Sequence, residues 1–231
     1  MLGFYDYTVV LTYLSLVSAG AGIFITLSGN GHPYIGALCL LICGLCDAFD
    51  GRVARSKPDR TEAQIRFGIQ IDSLTDLVAF GVLPACIGAA MLRLSPLLRV
   101  WKGAFVHSAS GALLVGFFFT ILILYVLAAM IRLAYFNVSE EDRQHNESGA
   151  RKFYLGLPVT SASLIFPTLL LIHYLVKTDL TPMYFSAIAL TGAAFVTRFP
   201  VRKPGLRGIL IMIGIGALEF ALMVLCKITK W

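Results

Sequence analysis

The stretch Cys46-Asp47-Ala48-Phe49-Asp50-Gly51-Arg52-Val53-Ala54-Arg55 closes an apolar run that opens at Tyr34, and Gly68-Ile69-Gln70-Ile71-Asp72-Ser73-Leu74-Thr75-Asp76 opens the next one. Both runs approach the ~20 residues needed to cross about 30 Å of hydrocarbon. Yet they carry four carboxylates, and translocon scales charge roughly 2.5–3.5 kcal/mol for each one at a helix centre. Asp47 and Asp50 are spaced i, i+3, and Asp72 and Asp76 i, i+4, so each pair shares one helix face. The first helix reaches a membrane surface near Arg55 and the second leaves it near Gly68, which lets the pairs converge at one depth. Four carboxylates at close range require a counter-charge. An oxygen-only ligand set favours one or two hard divalent cations, Mg2+ or Mn2+. The plainer reading is a structural ion-pair cluster with Arg52, Arg55 or Arg132.

Composition agrees with a lipid-embedded chain. Of 231 residues, 58% are hydrophobic and 14% charged, with a mean hydropathy of +0.80. Soluble domains average about 45–50% and about 25%. Seven apolar segments are expected, near 7–28, 34–54, 69–92, 111–135, 157–176, 182–197 and 207–226. The sixth is short and contains glycine. The fold class is therefore all-α, a polytopic transmembrane helix bundle, with residues 1–231 forming a single integral-membrane domain. No cleavable leader is expected, because no basic run precedes the first apolar one. The formal charge of +6 resides in loops. Arg55, Lys57, Arg60 and Arg66 follow the second segment; Arg143, Arg151 and Lys152 the fourth; Arg198, Arg202, Lys203 and Arg207 the sixth. That is the positive-inside pattern, so these loops and the N-terminus are placed in the cytoplasm and no nucleic-acid partner is inferred. Arg93, Arg99 and Lys102 depart from it, and Leu94, Leu97, Leu98 and Trp101 recur there as in a short interfacial helix. The five cysteines, three of them at Cys39, Cys43 and Cys46, read as packing residues. His173 reads as a packing or hydrogen-bonding residue, Glu219 as a helix contact, and Phe117-Phe118-Phe119 as lipid-facing.

Small residues Gly51 and Ala54 follow the first aspartate pair, and Gly68 lies one turn before Asp72; such positions admit a ligand or backbone closely. Arg52 and Arg55 are placed to clamp phosphate oxygens. Metals, an arginine and a small-residue pocket are the parts for in-line displacement at phosphorus.

Taken together, Asp-x2-Asp-Gly-x2-Ala-Arg followed by Gly-x3-Asp-x3-Asp resembles the signature of the CDP-alcohol phosphotransferases. Those are membrane enzymes built on a six-helix core, here with one further C-terminal helix expected near 207–226. The twelve residues between Arg55 and Gly68 make a longer insert than is usual for that signature. Asp72 to Ala85, Arg132-Leu133-Ala134-Tyr135-Phe136-Asn137 and Tyr154-Leu155-Gly156-Leu157-Pro158 are similar to the phosphatidylserine synthase branch. The resemblance implies transfer of a phosphatidyl group from CDP-diacylglycerol to L-serine, with release of CMP. It implies metal binding by Asp47, Asp50, Asp72 and Asp76, with Asp76 also the general base. It places Gly51, Ala54, Arg55 and Gly68 on the CDP moiety. Arg132 offers a bidentate match to a serine carboxylate, with Asn137 a nearby polar contact. Membrane lipids surround the bundle, and a homodimer is a further expectation. The rival readings are a sibling enzyme with glycerol 3-phosphate or inositol phosphate as acceptor, and a cation transporter relaying through buried carboxylates.

Overall fold

The computed structural model describes residues 3–29, 32–96, 109–146, 153–176, 178–202 and 205–228. A 3-10 turn, Tyr7–Val9, leads into α1 (Val10–Leu27), followed by α2 (Pro33–Arg55) and α3 (Glu62–Asp76). A π-helical turn, Leu77–Val82, joins α3 to α4 (Leu83–Leu94), so that Glu62–Leu94 runs on as one 33-residue span. Then come α5 (Ala109–Asn146), β1 (Phe153–Leu155), a 3-10 turn at Val159–Ser161, α6 (Ala162–Val176), α7 (Thr181–Val196), β2 (Pro200–Arg202) and α8 (Leu206–Ile228). Six of the spans are long and apolar enough to cross a membrane. The chain is an integral membrane protein, a polytopic helical bundle. The 16-residue α7 falls short of those spans, as its glycine-containing segment suggested, whereas the 3-10 turn Val159–Ser161 extends α6 into an 18-residue span.

Two helices outrun their hydropathy. α3 begins at Glu62 rather than 69, because Thr61 and Gln64 form a reciprocal capping box that satisfies the first-turn N–H groups. An Arg66–Glu62 pair of 2.6 Å then lies along its exposed face. The loop after α2 shrinks accordingly to Ser56–Thr61. α5 continues past residue 135 to Asn146, so Arg143 sits in a helix and pairs with Glu140 at 2.6 Å. The polar extension adds about 16 Å to the helix. The bundle also carries one unforeseen element, an antiparallel ribbon pairing Phe153 with Arg202, Tyr154 with Val201 and Leu155 with Pro200. The expected interfacial helix around Leu97, Leu98 and Trp101 lies outside the described residues, as do Arg99, Lys102, Arg151, Lys152 and Lys203.

The core gathers Leu40, Phe80, Leu83, Ile87, Phe166 and Ile188. α1 and α2 pack closely because Gly36 has no side chain: a Cβ there would collide with the Thr26 hydroxyl and Ile87. Cys43 is buried with its thiol directed at the Ser15 carbonyl, 3.3 Å away, and all five cysteines are free. Phe117 and Phe119 face outward, but Phe118 turns in against Phe185 at 4.6 Å between ring centroids.

The π turn follows from Pro84. Proline has no N–H, so the Phe80 carbonyl loses its i+4 donor. The buried Tyr125 hydroxyl replaces it at 2.7 Å, and Tyr184 donates in turn to the Pro84 carbonyl at 2.8 Å. An inserted π residue rotates the succeeding helix by roughly 100°, separating the aspartate face of α3 from the packing face of α4. Tyr125→Phe strands a buried carbonyl. Its expected cost is about 1–3 kcal/mol, read as a lower Tm in detergent, with a smaller change in Tyr184→Phe, because the Pro84 carbonyl lies within α4 and has the Gly88 N–H as its helical i+4 donor.

Candidate active site

α2 and α3 deliver the aspartates to one place. Carboxylate oxygens of Asp47, Asp50 and Asp72 all lie within 4.8 Å of one another. The Asp50 and Asp72 carboxyl groups are within hydrogen-bonding reach. Asp76, one turn further along α3, is 9% exposed and within electrostatic range of the other three, but stands outside that tight triad. None of the ion pairs among the described residues involves these four acids. Arg52 lies over the Phe49 ring at 6.0 Å, and the Arg55 guanidinium folds back over Gly51, 3.2 Å from where a Cβ would stand. An ion-pair cluster with those arginines is therefore not what balances the acids. An all-oxygen triad with no ion pair among the described residues suits a hard divalent metal.

Gly68 has no atom within 4 Å of where a Cβ would be, so one side of α3 is open there. Ala54 is half-buried on α2. Asn137 donates from α5 to the Ser73 hydroxyl at 2.8 Å, next to Asp72. Arg132 is 6% exposed and donates through Nε to the Leu157 carbonyl at 3.1 Å and through Nη2 to the Gly156 carbonyl at 3.3 Å. Gly156 has φ +80°, and a Cβ there would meet the Thr197 carbonyl at 2.8 Å. The Gly156-Leu157-Pro158 turn thus has a backbone reason for its glycine.

A groove of about 570 Å3 is lined by the two α2 members of the triad, Asp47 and Asp50, while Asp72 lies outside its lining. Its polar end holds Asp47, Asp50, Arg52 and Arg55 of α2, with Thr160 and Ser163 across from them. Its apolar length is formed by Leu41 and Leu45 of α2, Leu164 of α6, and Ile213, Gly216 and Phe220 of α8. Gly44 brings α2 and α6 together, since a Cβ would collide with the Ser163 hydroxyl. At Gly216 on α8 a Cβ would stand in ordinary contact, 3.5 Å from Leu164 and 3.9 Å from Leu41, so that only a larger side chain would intrude on the groove. Lining residues on α8 run from Ile209 to Phe220, about 16 Å at helical rise. A Thr168–Glu219 hydrogen bond ties α8 to α6. Reading along the chain missed this wall. A local trace was the small-residue run Gly214-Ile215-Gly216-Ala217 within that segment.

A family model described as CDP-alcohol phosphatidyltransferase matches residues 8–199. The CDP-diacylglycerol–serine O-phosphatidyltransferase of Saccharomyces cerevisiae is 31% identical over 163 residues, covering 66% of this chain and 50% of that protein. The Helicobacter pylori protein of the same name is 28% identical over 177 residues, 74% of this chain and 63% of the relative. The archaetidylserine synthase of Methanothermobacter thermautotrophicus is 32% identical over 155 residues, 65% and 53%. The chain spans about half to three-fifths of the length of these curated relatives. With the family model covering all helices from α1 to α7, the chain belongs to the CDP-alcohol phosphatidyltransferase family.

Proposed function

We propose that this chain transfers the phosphatidyl group of CDP-diacylglycerol to L-serine, giving phosphatidylserine and CMP. One observation carries the reading: an aspartate triad from two helices, its oxygens within 4.8 Å, two of whose members, Asp47 and Asp50, also line a groove that continues into apolar lining. A nucleotide diphosphate on a lipid needs that junction of charge and hydrocarbon. Serine as acceptor draws on the relatives, whose names share it.

The family generally uses a divalent metal, and Asp47, Asp50, Asp72 and Asp76 would hold it as one or two Mg2+ or Mn2+ ions. When bound, the metal neutralises diphosphate charge and that of the departing CMP. The residues of the chain do the rest. Arg55 meets the diphosphate, and Gly51, Ala54 and Gly68 leave room for the cytidine. Asp76 accepts the serine hydroxyl proton, for which it needs one oxygen free of tight coordination. The serine oxygen forms a bond to the β-phosphorus as the bond to the bridging oxygen breaks, and CMP leaves with that electron pair. Arg132 attracts the serine carboxylate, and Asn137 borders it. The site faces the cytoplasm in this reading, since Arg52, Arg55, Arg60, Arg66, Arg202 and Arg207 gather at the ends of the helices that carry it.

The test is CMP release by purified protein from CDP-diacylglycerol with serine, glycerol 3-phosphate or inositol phosphate, with and without Mg2+ or Mn2+. Release with glycerol 3-phosphate and none with serine would overturn the acceptor. The groove makes a separate prediction. Gly216→Phe places a ring against Leu164 and Leu41 and is expected to raise the KM for CDP-diacylglycerol by about tenfold, a loss of about 1.4 kcal/mol of binding. The serine KM and inhibition by free CDP should be unchanged.

A further inference from the structure

The N-terminal segment ahead of α1 is fastened across the loop between the two aspartate helices. Asp6 is the hub. Its Oδ2 accepts from Lys57 Nζ at 2.7 Å and from Gln64 Nε2 at 3.4 Å, while its Oδ1 accepts from the Thr8 backbone N–H at 3.0 Å and from the Thr8 hydroxyl. The Asp6 side chain is 23% exposed, unusually covered for a carboxylate at the end of a chain segment. Phe4 packs edge-on against Phe67 at 5.4 Å between centroids, and the Tyr13 hydroxyl donates to the Phe4 carbonyl at 2.9 Å, holding the segment to α1. The Lys57 bond holds the Asp6 carboxyl at about 2, well below its usual range, with the Thr8 hydroxyl adding to it. This attachment accordingly stays ionised at neutral pH.

The two residues that Asp6 grips have telling places. Lys57 lies two positions past Arg55, at the end of α2, and Gln64 lies one turn before Gly68, near the start of α3. Arg55 and Gly68 are the two sides of the cytidine diphosphate site in the function proposed above, on which this inference rests. Between them runs the lengthened insert, which its own sequence stiffens locally at Pro58 and at the Thr61–Gln64 cap but does not tie end to end. One carboxylate bonded to both ends of that insert fixes their separation. We infer that Asp6 is a positioning residue: by holding Lys57 and Gln64 together it sets the gap between α2 and α3, and with it the affinity for the nucleotide half of the donor.

The experiment measures the Kd of CDP with Mg2+ by calorimetry in detergent for the wild type, Asp6→Asn, Lys57→Asp and the charge-swapped Asp6→Lys/Lys57→Asp double variant. Amide hydrogen exchange over residues 56–64 is followed in parallel. Each single variant is expected to weaken CDP about fivefold, the scale of one partly exposed ion pair, and to speed exchange in the loop. The double variant should recover to within about twofold in both. At saturating donor the kcat of the single variants should match the wild type. Single variants that bind CDP as the wild type does, or a double variant no better than the singles, would overturn the positioning role. A wild-type chain that binds no CDP at all would instead sink the donor reading.

Discussion

Asp72→Asn is expected to lower CMP release from CDP-diacylglycerol by about 10^3-fold or more, the scale on which removal of one transition-state charge stabiliser acts. Asp72 is the α3 member of the triad with Asp47 and Asp50, and its removal leaves only one helix contributing to it. An amide keeps the shape but removes the charge and one of the two acceptor oxygens. The affinity for Mn2+ should therefore fall together with turnover, which titration of purified protein with Mn2+ measures directly. Asp76→Asn should separate the two. Asp76 stands outside the triad, so turnover is expected to collapse while Mn2+ binding falls less than in Asp72→Asn. Full activity in Asp72→Asn would sink the site assignment. Equal Mn2+ losses in both variants would make Asp76 a ligand of the same rank as Asp72.

That site was legible because its information is local. The i, i+3 and i, i+4 spacings put paired carboxylates on helix faces whatever the tertiary structure does. The start of α3 escapes hydropathy even though its signal is equally local. Hydropathy locates the membrane-embedded part of a helix, not its cap, and the box Thr61-x-x-Gln64 lies in the polar insert. The π turn illustrates the opposite case. Pro84 is visible in the chain, but the hydroxyl that rescues the Phe80 carbonyl comes from Tyr125, on another helix. The groove is less legible still, since Gly44, Leu41, Leu164 and Gly216 meet only when α2, α6 and α8 are packed. Asp6 belongs with these. Nothing in Gly3-Phe4-Tyr5-Asp6 announces a partner at Lys57 or Gln64.

Arg132 is where the two kinds of information pull apart, and its replacement should show which dominates. Sequence reasoning placed its guanidinium on the acceptor carboxylate; the structure shows it gripping the carbonyls of Gly156 and Leu157. These roles are compatible, because a carbonyl accepts a hydrogen bond without removing the donor's charge, and backbone acceptors fix the orientation of the guanidinium fork. The turn it grips is otherwise pinned by Gly156 N–H to the Phe199 carbonyl at 2.7 Å and Leu157 N–H to the Ala194 carbonyl at 3.1 Å, so the turn does not depend on Arg132 alone. Lysine keeps the charge but loses the planar fork that spans two acceptors. Arg132→Lys is therefore expected to raise the serine KM by about tenfold, or about 1.4 kcal/mol, with the KM for CDP-diacylglycerol within about twofold of the wild type. Arg132→Leu removes the charge as well and leaves the two carbonyls without those donors, at about 1–3 kcal/mol for each buried group stranded, so its Tm should fall clearly further than that of Arg132→Lys. Steady-state kinetics in both substrates and melting in detergent decide the matter. If Arg132→Lys raises both KM values together and melts as low as Arg132→Leu, Arg132 is a clamp on the Gly156 turn and the serine carboxylate must be met by another cation.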